Sequence, residues 1–201
     1  MNKKSTVGRP REFDKDKVLK IIMNLFWENG YEATSLSEIT SATGLKKGSL
    51  YSAFGDKHAM YLSAIDHYEL NVVDSTRLFL SFGEGSAIFR IKEFLNAPMK
   101  AVGKTNDRRG CFLCNASSDR AALDKETSIL VKRGFKKLEK GMINALKEMS
   151  PDVDDNKLAV KARWLLATYA GFRVMVRSGL STEELEQALD DTMQTIEDTI
   201  K

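Results

Sequence analysis

An all-α fold is what this sequence predicts, and three observations predict it. Apolar residues recur three and four apart in segment after segment, the spacing that lines one helical face. Ser or Asp caps open several of these runs, and Gly or Pro closes most of them. Beyond residue 83 no run alternates apolar with polar residues, and no Gly/Asn hairpin signal occurs. The chain divides into a basic arm, residues 1–11, a three-helix unit, 12–55, and a larger helical body, 56–201.

Val18, Ile21, Ile22, Leu25 and Phe26 share one face of the first helix. Asp14 caps it, Phe13 and Val18 stand at staple positions, and Gly30 tolerates the left-handed conformation that ends a helix. Ser35 and Glu38 form a capping box for a second helix that reaches Thr43 before Gly44 stops it. The third lies in the segment Lys46 to Phe54, where Leu50 and Phe54 join Leu36, Ile39 and Leu45 in a small core. Asp56 caps a long fourth helix carrying Tyr61, Ile65, Tyr68 and Val72 as far as Gly83 and Gly85. A fifth begins near Ser86 with Ile88, Ile91 and Leu95 in phase, and Pro98 is expected to kink or end it.

A short sixth helix covers Cys111 to Ala122. The seventh sets Val131, Phe135, Leu138, Met142, Leu146 and Met149 on one stripe and stops before Pro151. Leu158, Ala162, Leu165, Tyr169, Phe172 and Val176 line the eighth, whose opposite side holds Trp164, Gly171 and Met175. Apolar on two sides, this helix needs neighbours on both. Ser181 and Glu184 cap the ninth, where Leu185, Leu189, Thr192 and Ile196 are in phase.

Composition narrows the function. No apolar run approaches the ~20 residues of a membrane span, and no signal-peptide core follows the basic start, so a cytoplasmic protein is expected. Two cysteines cannot supply a disulfide framework. His58 and His67, the two histidines, are nine apart and do not meet on one helical turn as metal ligands or an acid–base pair would. The paired acids Asp154/Asp155, Glu183/Glu184 and Asp190/Asp191 lie in hydrophilic stretches, and there is no Gly-rich phosphate loop. Neither catalysis nor a metal or cofactor is expected. The net charge of +3 falls wholly within residues 1–60, where Lys3, Lys4, Arg9 and Arg11 precede the first acid, Glu12. Such an arm suits a polyanion and equally suits a solubilising terminus.

The second and third helices have helix-turn-helix proportions, in which one helix enters the major groove and the other braces it. Gly44 supplies the turn, Ile39, Leu45 and Leu50 face inward, and Lys47, Ser49, Tyr51 and Ala53 are left for the outer face. The alternative is a small packing module that binds protein and not DNA. The segment GYEATSLSEITSATGLKKGSLYSAFGDK, after a helix introduced by GRPREFD, resembles the DNA-binding domain of the TetR family of bacterial transcriptional regulators. The likeness covers about residues 9 to 60. The all-helical remainder is similar in length and helix order to that family's ligand-binding and dimerisation domain.

The resemblance implies a repressor that binds a palindromic operator on double-stranded DNA as a homodimer and releases it to a small molecule. It implies that Lys47, Gly48, Ser49 and Tyr51 reach operator bases and phosphates, and that Lys57 binds a phosphate at a helix N-terminus. Ser35 and Ser37 are candidates to hold the DNA backbone, and Arg9 either enters a minor groove or acts by charge alone. Lys46 stands where the family usually has a Ser or Thr cap, and Thr40 replaces its usual alanine. An apolar or aromatic effector would be held among Tyr68, Phe94, Met99, Phe112, Phe135, Trp164, Tyr169 and Phe172, each of which also reads as plain core. The eighth and ninth helices are the candidate dimer face. Cys111 and Cys114 put two sulfurs on one side of a helix just after Arg108 and Arg109, a pattern open to thiol oxidation or to simple burial.

Overall fold

The computed structural model describes residues 13–200, and its elements are helices. α1 spans Lys15–Ala33, α2 Leu36–Thr43, α3 Lys47–Phe54 and α4 Lys57–Tyr68. A π-helical turn, Glu69–Val73, joins α4 to α5, Asp74–Phe82. The body continues with α6 (Ala87–Thr105), α7 (Phe112–Asp119), α8 (Lys125–Met149), α9 (Asp155–Ser178) and α10 (Thr182–Ile200).

The caps fall where the sequence puts them. Asp14 accepts from the amides of Asp16 and Lys17 at 3.0 and 3.1 Å, and Asp56 accepts from the Ala59 amide at 2.8 Å. Gly44 ends α2 at φ 67°, its amide donating to the Thr40 carbonyl at 3.0 Å. A β-carbon disfavours that conformation, so the turn between α2 and α3 depends on glycine.

Three elements depart from the expected pattern. Gly30, at φ 80° and ψ 177°, breaks α1 without ending it, and a last turn runs on to Ala33. The fourth helix is not uniform, because the π-helical turn inserts one extra residue into its ladder; an apolar pattern of period near four does not reveal this. Pro98 does not end α6, which runs on to Thr105. The ring and its neighbours Phe94, Leu95 and Met99 are buried, and that packing offsets the missing hydrogen bond.

α2 and α3 close on α1 and α4 around Phe26, Ile39 and Leu50, each wholly buried. In the body α8 is central, packed against α5, α6 and α9, while α10 lies along α6. α1 also packs on α7, so the two regions share one continuous core. At about 1.5–3 kcal/mol for each large apolar side chain, this burial and not helix propensity carries the fold. The apolar stripe of α10, expected to be free for a partner, is covered within the chain. Leu185, Leu189, Met193 and Ile196 are all buried.

Candidate functional site

The second helix of the motif is braced from its first residue. Ser35 Oγ accepts from the Glu38 amide at 3.1 Å, and Glu38 Oε2 accepts from the Ser35 amide at 2.7 Å. Those bonds, the Ser35 amide foremost, hold the Glu38 carboxyl below its ordinary range. Thr40 donates to the Ser37 carbonyl at 2.7 Å and Thr43 to the Ile39 carbonyl at 2.6 Å. Ser35 and Ser37 are exposed beside one another.

α3 is anchored by Leu50, which is wholly buried, while Lys46, Lys47, Gly48, Ser49, Tyr51 and Ser52 are exposed. Its N-cap residue, Lys46, makes no side-chain capping bond. The first turn therefore offers unmatched amides next to two ammonium groups, an arrangement that attracts anions. Lys47 Nζ lies 5.3 Å from the centre of the Tyr51 ring, so the two side chains stand together on the outer face. Ser52 lies on the same exposed stretch, one residue past Tyr51, and was not singled out from sequence.

Lys57, the first residue of α4, is half-buried, with Nζ 4.5 Å from the centre of the Tyr31 ring and 3.4 Å from the Glu32 carbonyl. Arg9 lies outside the described residues. Around Tyr31 the motif is tied to the body. The Tyr31 amide donates to Asp119 Oδ2 at 2.8 Å, Arg120 pairs with Glu32 at 3.0 Å, and the Arg120 guanidinium lies 4.3 Å from the Tyr31 ring centre. His58 sits between two carboxylates of α8's start, with Nε2 3.0 Å from Asp124 and Nδ1 3.8 Å from Glu126. One ligand atom from each of His58, Asp124 and Glu126 lies within 4.8 Å of the others, close enough for the three to hold a metal ion together. Thr127, then His58, hold the Asp124 carboxyl far below the ordinary carboxylate range.

Most of the body's aromatic candidates are brought together as packing. Tyr68 meets Phe112 edge-on at 5.7 Å and Trp27 at 5.0 Å, and Phe94 stacks on Tyr169 at 4.1 Å. Met99 and Phe172 are buried as well. Phe94 also reaches a cleft between α5 and α6 that is lined by Phe79, Ala97 and Ala101. Phe135 and Trp164 stand apart from this group. Phe135 lines a shallow cleft with Leu166 and Ala170, and Trp164 is 41% exposed on the outer side of α9 beside Val160.

The two cysteines are buried at the start of α7, Cys111 as its N-cap residue and Cys114 in its first turn. The Tyr68 hydroxyl donates to Cys111 Sγ at 3.6 Å. A hydrogen bond from the Cys114 thiol holds Cys111 below the ordinary thiol range against the effect of burial, helped by the charge of Arg173 and by the Cys114 amide. Cys114 is pushed up by the same bond and by burial. Arg173 reaches this group from α9, donating to the Tyr169 hydroxyl at 2.8 Å and the Gly110 carbonyl at 3.3 Å. A cleft of about 400 Å³ between the kink of α1, α7 and α9 has Cys114, Asn115, Arg173 and Arg177 in its walls.

A family model described as bacterial regulatory proteins, tetR family, matches residues 18–64, the whole of α2 and α3 and most of α1 and α4. Over those residues the chain matches the TetR family. The transcriptional repressor ComR of Escherichia coli is 27% identical over 98% of this chain and 96% of its own length. The uncharacterised regulator YezE of Bacillus subtilis is 24% identical over 95% of this chain and all of its own. Among solved structures, reduced NemR of E. coli superposes with a TM-score of 0.78 at 20% identity, covering 89% of this chain and 95% of that one. A cysteine-substituted form of the TetR-family regulator CifR, complexed with a 26-base-pair operator duplex, gives 0.76 at 23% identity over 93% and 98% of the two chains.

Of the two helices read as the dimer face, α9 and not α10 keeps large apolar side chains exposed. Val160, Trp164, Val174 and Met175 are exposed at 62%, 41%, 61% and 47%. Asp119, Arg120 and Asp124 escaped the sequence reading because their partners are remote in the chain, 88 residues away for Tyr31 and 66 for His58. Among the described residues no helix is long and apolar enough to cross a membrane.

Proposed function

We propose that this protein is a cytoplasmic transcriptional repressor that binds a palindromic operator as a homodimer and releases it in response to an effector or to thiol modification in its body. The observation that carries the reading is the exposed, uncapped start of α3. There Lys46, Lys47, Gly48, Ser49 and Tyr51 stand outside a helix anchored only through buried side chains such as Leu50. In the proposal Lys47, Gly48, Ser49 and Tyr51 meet base edges and phosphates in the major groove. Ser35 and Ser37 hold the backbone beside α2, Lys57 holds a phosphate at the start of α4, and Arg9 lies along the adjacent minor groove. The repressor ComR and the operator-bound CifR support this assignment by likeness.

Dimerisation is supported by the exposed apolar side chains Val160, Trp164, Val174 and Met175 on α9, of the kind partners cover. For the input, the tight packing of Tyr68, Phe112, Tyr169 and Phe172 leaves the Phe94 cleft as the apolar entry for a small effector. The thiol route has firmer support. The Cys114 thiol, with the charge of Arg173, acts to lower the Cys111 thiol against the effect of burial, and Arg173 bonds the Tyr169 hydroxyl and the Gly110 carbonyl.

The test is a mobility-shift titration of reduced protein with duplex DNA from upstream of its own gene. Retardation that weakens steeply with added salt, and weakens again in Tyr51→Ala, is expected. No retardation at micromolar protein in low salt would refute the reading and favour a helical protein-interaction adaptor.

A further inference from the structure

Helix α4 runs from the candidate DNA face to the thiol pair. Lys57 opens it, and Tyr68 closes it with a hydroxyl 3.6 Å from Cys111 Sγ. The ring is 3% exposed and held edge-on by Trp27 of α1 and Phe112 of α7. Burial pushes the phenol well above its ordinary range, so the hydroxyl keeps its proton and acts as a donor to the sulfur. No other hydrogen bond from this hydroxyl is seen among the described residues.

The chain changes character at the next residue. Glu69–Val73 is π-helical, and Glu69, itself buried, is fixed from α8 by Arg133 Nε and Lys137 Nζ, both at 2.7 Å. The far side of the turn is tied as well, with Asp74 2.7 Å from Lys137. α4 therefore meets an anchored segment across a π-helical turn, a break in helical hydrogen bonding of the kind often found at functional sites.

We infer that Tyr68 is the positioning residue that reads the chemical state of Cys111 and passes it along α4 to Lys57. This rests on the thiol reading above. In the reduced protein the Tyr68 hydroxyl donates to the Cys111 sulfur and fixes the end of α4. A hydroperoxide supplies the oxidant. The Cys111 thiolate attacks the distal peroxide oxygen, the O–O bond breaks, and the alkoxide or hydroxide that leaves takes up a proton, giving a sulfenic acid. The Cys114 sulfur then attacks the Cys111 sulfur. An S–S bond forms, the S–O bond breaks, and the hydroxyl leaves as water with the Cys114 proton. The peroxide has been reduced by two electrons and the two thiols oxidised by two. The disulfide sulfur carries no charge and is a poor acceptor, so the buried hydroxyl loses its partner. Tyr68 moves to find another, α4 shifts against the π-helical turn, and Lys57 leaves its phosphate.

Tyr68→Phe removes the hydroxyl and keeps the ring. Two measurements are made on Tyr68→Phe and wild type: the pH profile of Cys111 alkylation by iodoacetamide, read by mass spectrometry, and binding to the upstream duplex before and after hydrogen peroxide. Disulfide formation is verified in each sample, and dithiothreitol reverses it. Wild type is expected to lose about tenfold or more in affinity on oxidation. Oxidised Tyr68→Phe is expected to keep its DNA, and its alkylation midpoint to move up in pH because the thiolate has lost a donor. Release from oxidised Tyr68→Phe equal to wild type would overturn the relay and leave the thiol reading standing. If wild type forms no disulfide, or forms it and keeps its DNA, the thiol reading falls and the relay with it. Should reduced Tyr68→Phe bind no DNA, Cys111→Ser provides the second arm. It offers the hydroxyl an oxygen acceptor and cannot form the disulfide, so it must hold DNA in peroxide, and release there would overturn the inference.

Discussion

On α3 the side chains that mark the motif, Lys47, Ser49 and Tyr51, touch little of their own chain. On α4, α7 and α9 the opposite holds, for Tyr68, Cys111, Phe112 and Tyr169 are almost entirely enclosed by one another and by Trp27, Phe94 and Arg173. A residue free of packing duties can be assigned from its chemistry and spacing. A buried aromatic serves the core whether or not it serves a ligand, so its type alone decides nothing. The two regions should respond differently to the same kind of substitution.

The largest expected effect comes from paired cavities. Leu50→Ala in α3 and Leu95→Ala in α6, both wholly buried in the wild type, should each cost about 2–5 kcal/mol of stability by chemical denaturation. Only Leu50→Ala should also weaken DNA binding beyond what its unfolded fraction explains, because Leu50 orients the recognition face. Equal losses of DNA binding in the two variants would erase the contrast.

Surface truncations in the same helix come next. Lys47→Ala and Tyr51→Ala should each weaken operator binding by about 1–3 kcal/mol with an unchanged melting temperature. Ser35→Ala, which removes one half of the capping box, should lower stability by about 1 kcal/mol, measured by thermal melting. Lys57→Ala should weaken all duplexes alike and reduce the salt slope by about one counterion. A loss confined to one sequence would contradict a phosphate role.

The smallest effect is acid sensitivity in the body. Lys137 lowers the Asp74 carboxyl and Arg109 lowers that of Asp107, so both groups stabilise the folded chain above their unfolded values and cease to do so as pH falls through the folded ones. The melting temperature should hold steady down to about pH 5 and drop below about pH 4. A melting temperature that stays level through pH 3 would show that these pairs contribute nothing.

Much of the fold was legible because its signals are local. Asp14, Ser35 with Glu38, Gly44 and Asp56 act on amides within a few residues, and each does in the structure what its position predicts. The π-helical turn, the kink at Gly30 and the passage of α6 through Pro98 were not legible, since each is decided by packing against distant helices. The cover over α10 and the exposure of Trp164 on α9 follow from which helix lies alongside, which apolar periodicity does not specify. The clamp of Asp119 and Arg120 on Tyr31 and Glu32 joins segments far apart in the chain. Single-sequence spacing carries no trace of it.

The central claim is sequence-specific DNA recognition through α2 and α3 of two copies. Nuclease footprinting of the DNA upstream of the protein's own gene tests it most directly, with wild type and Tyr51→Ala compared at matched salt. The account predicts protection of two symmetric half-sites by the wild type and its loss in the variant. Uniform protection along the fragment, or a footprint that survives Tyr51→Ala and Lys47→Ala unchanged, would contradict it.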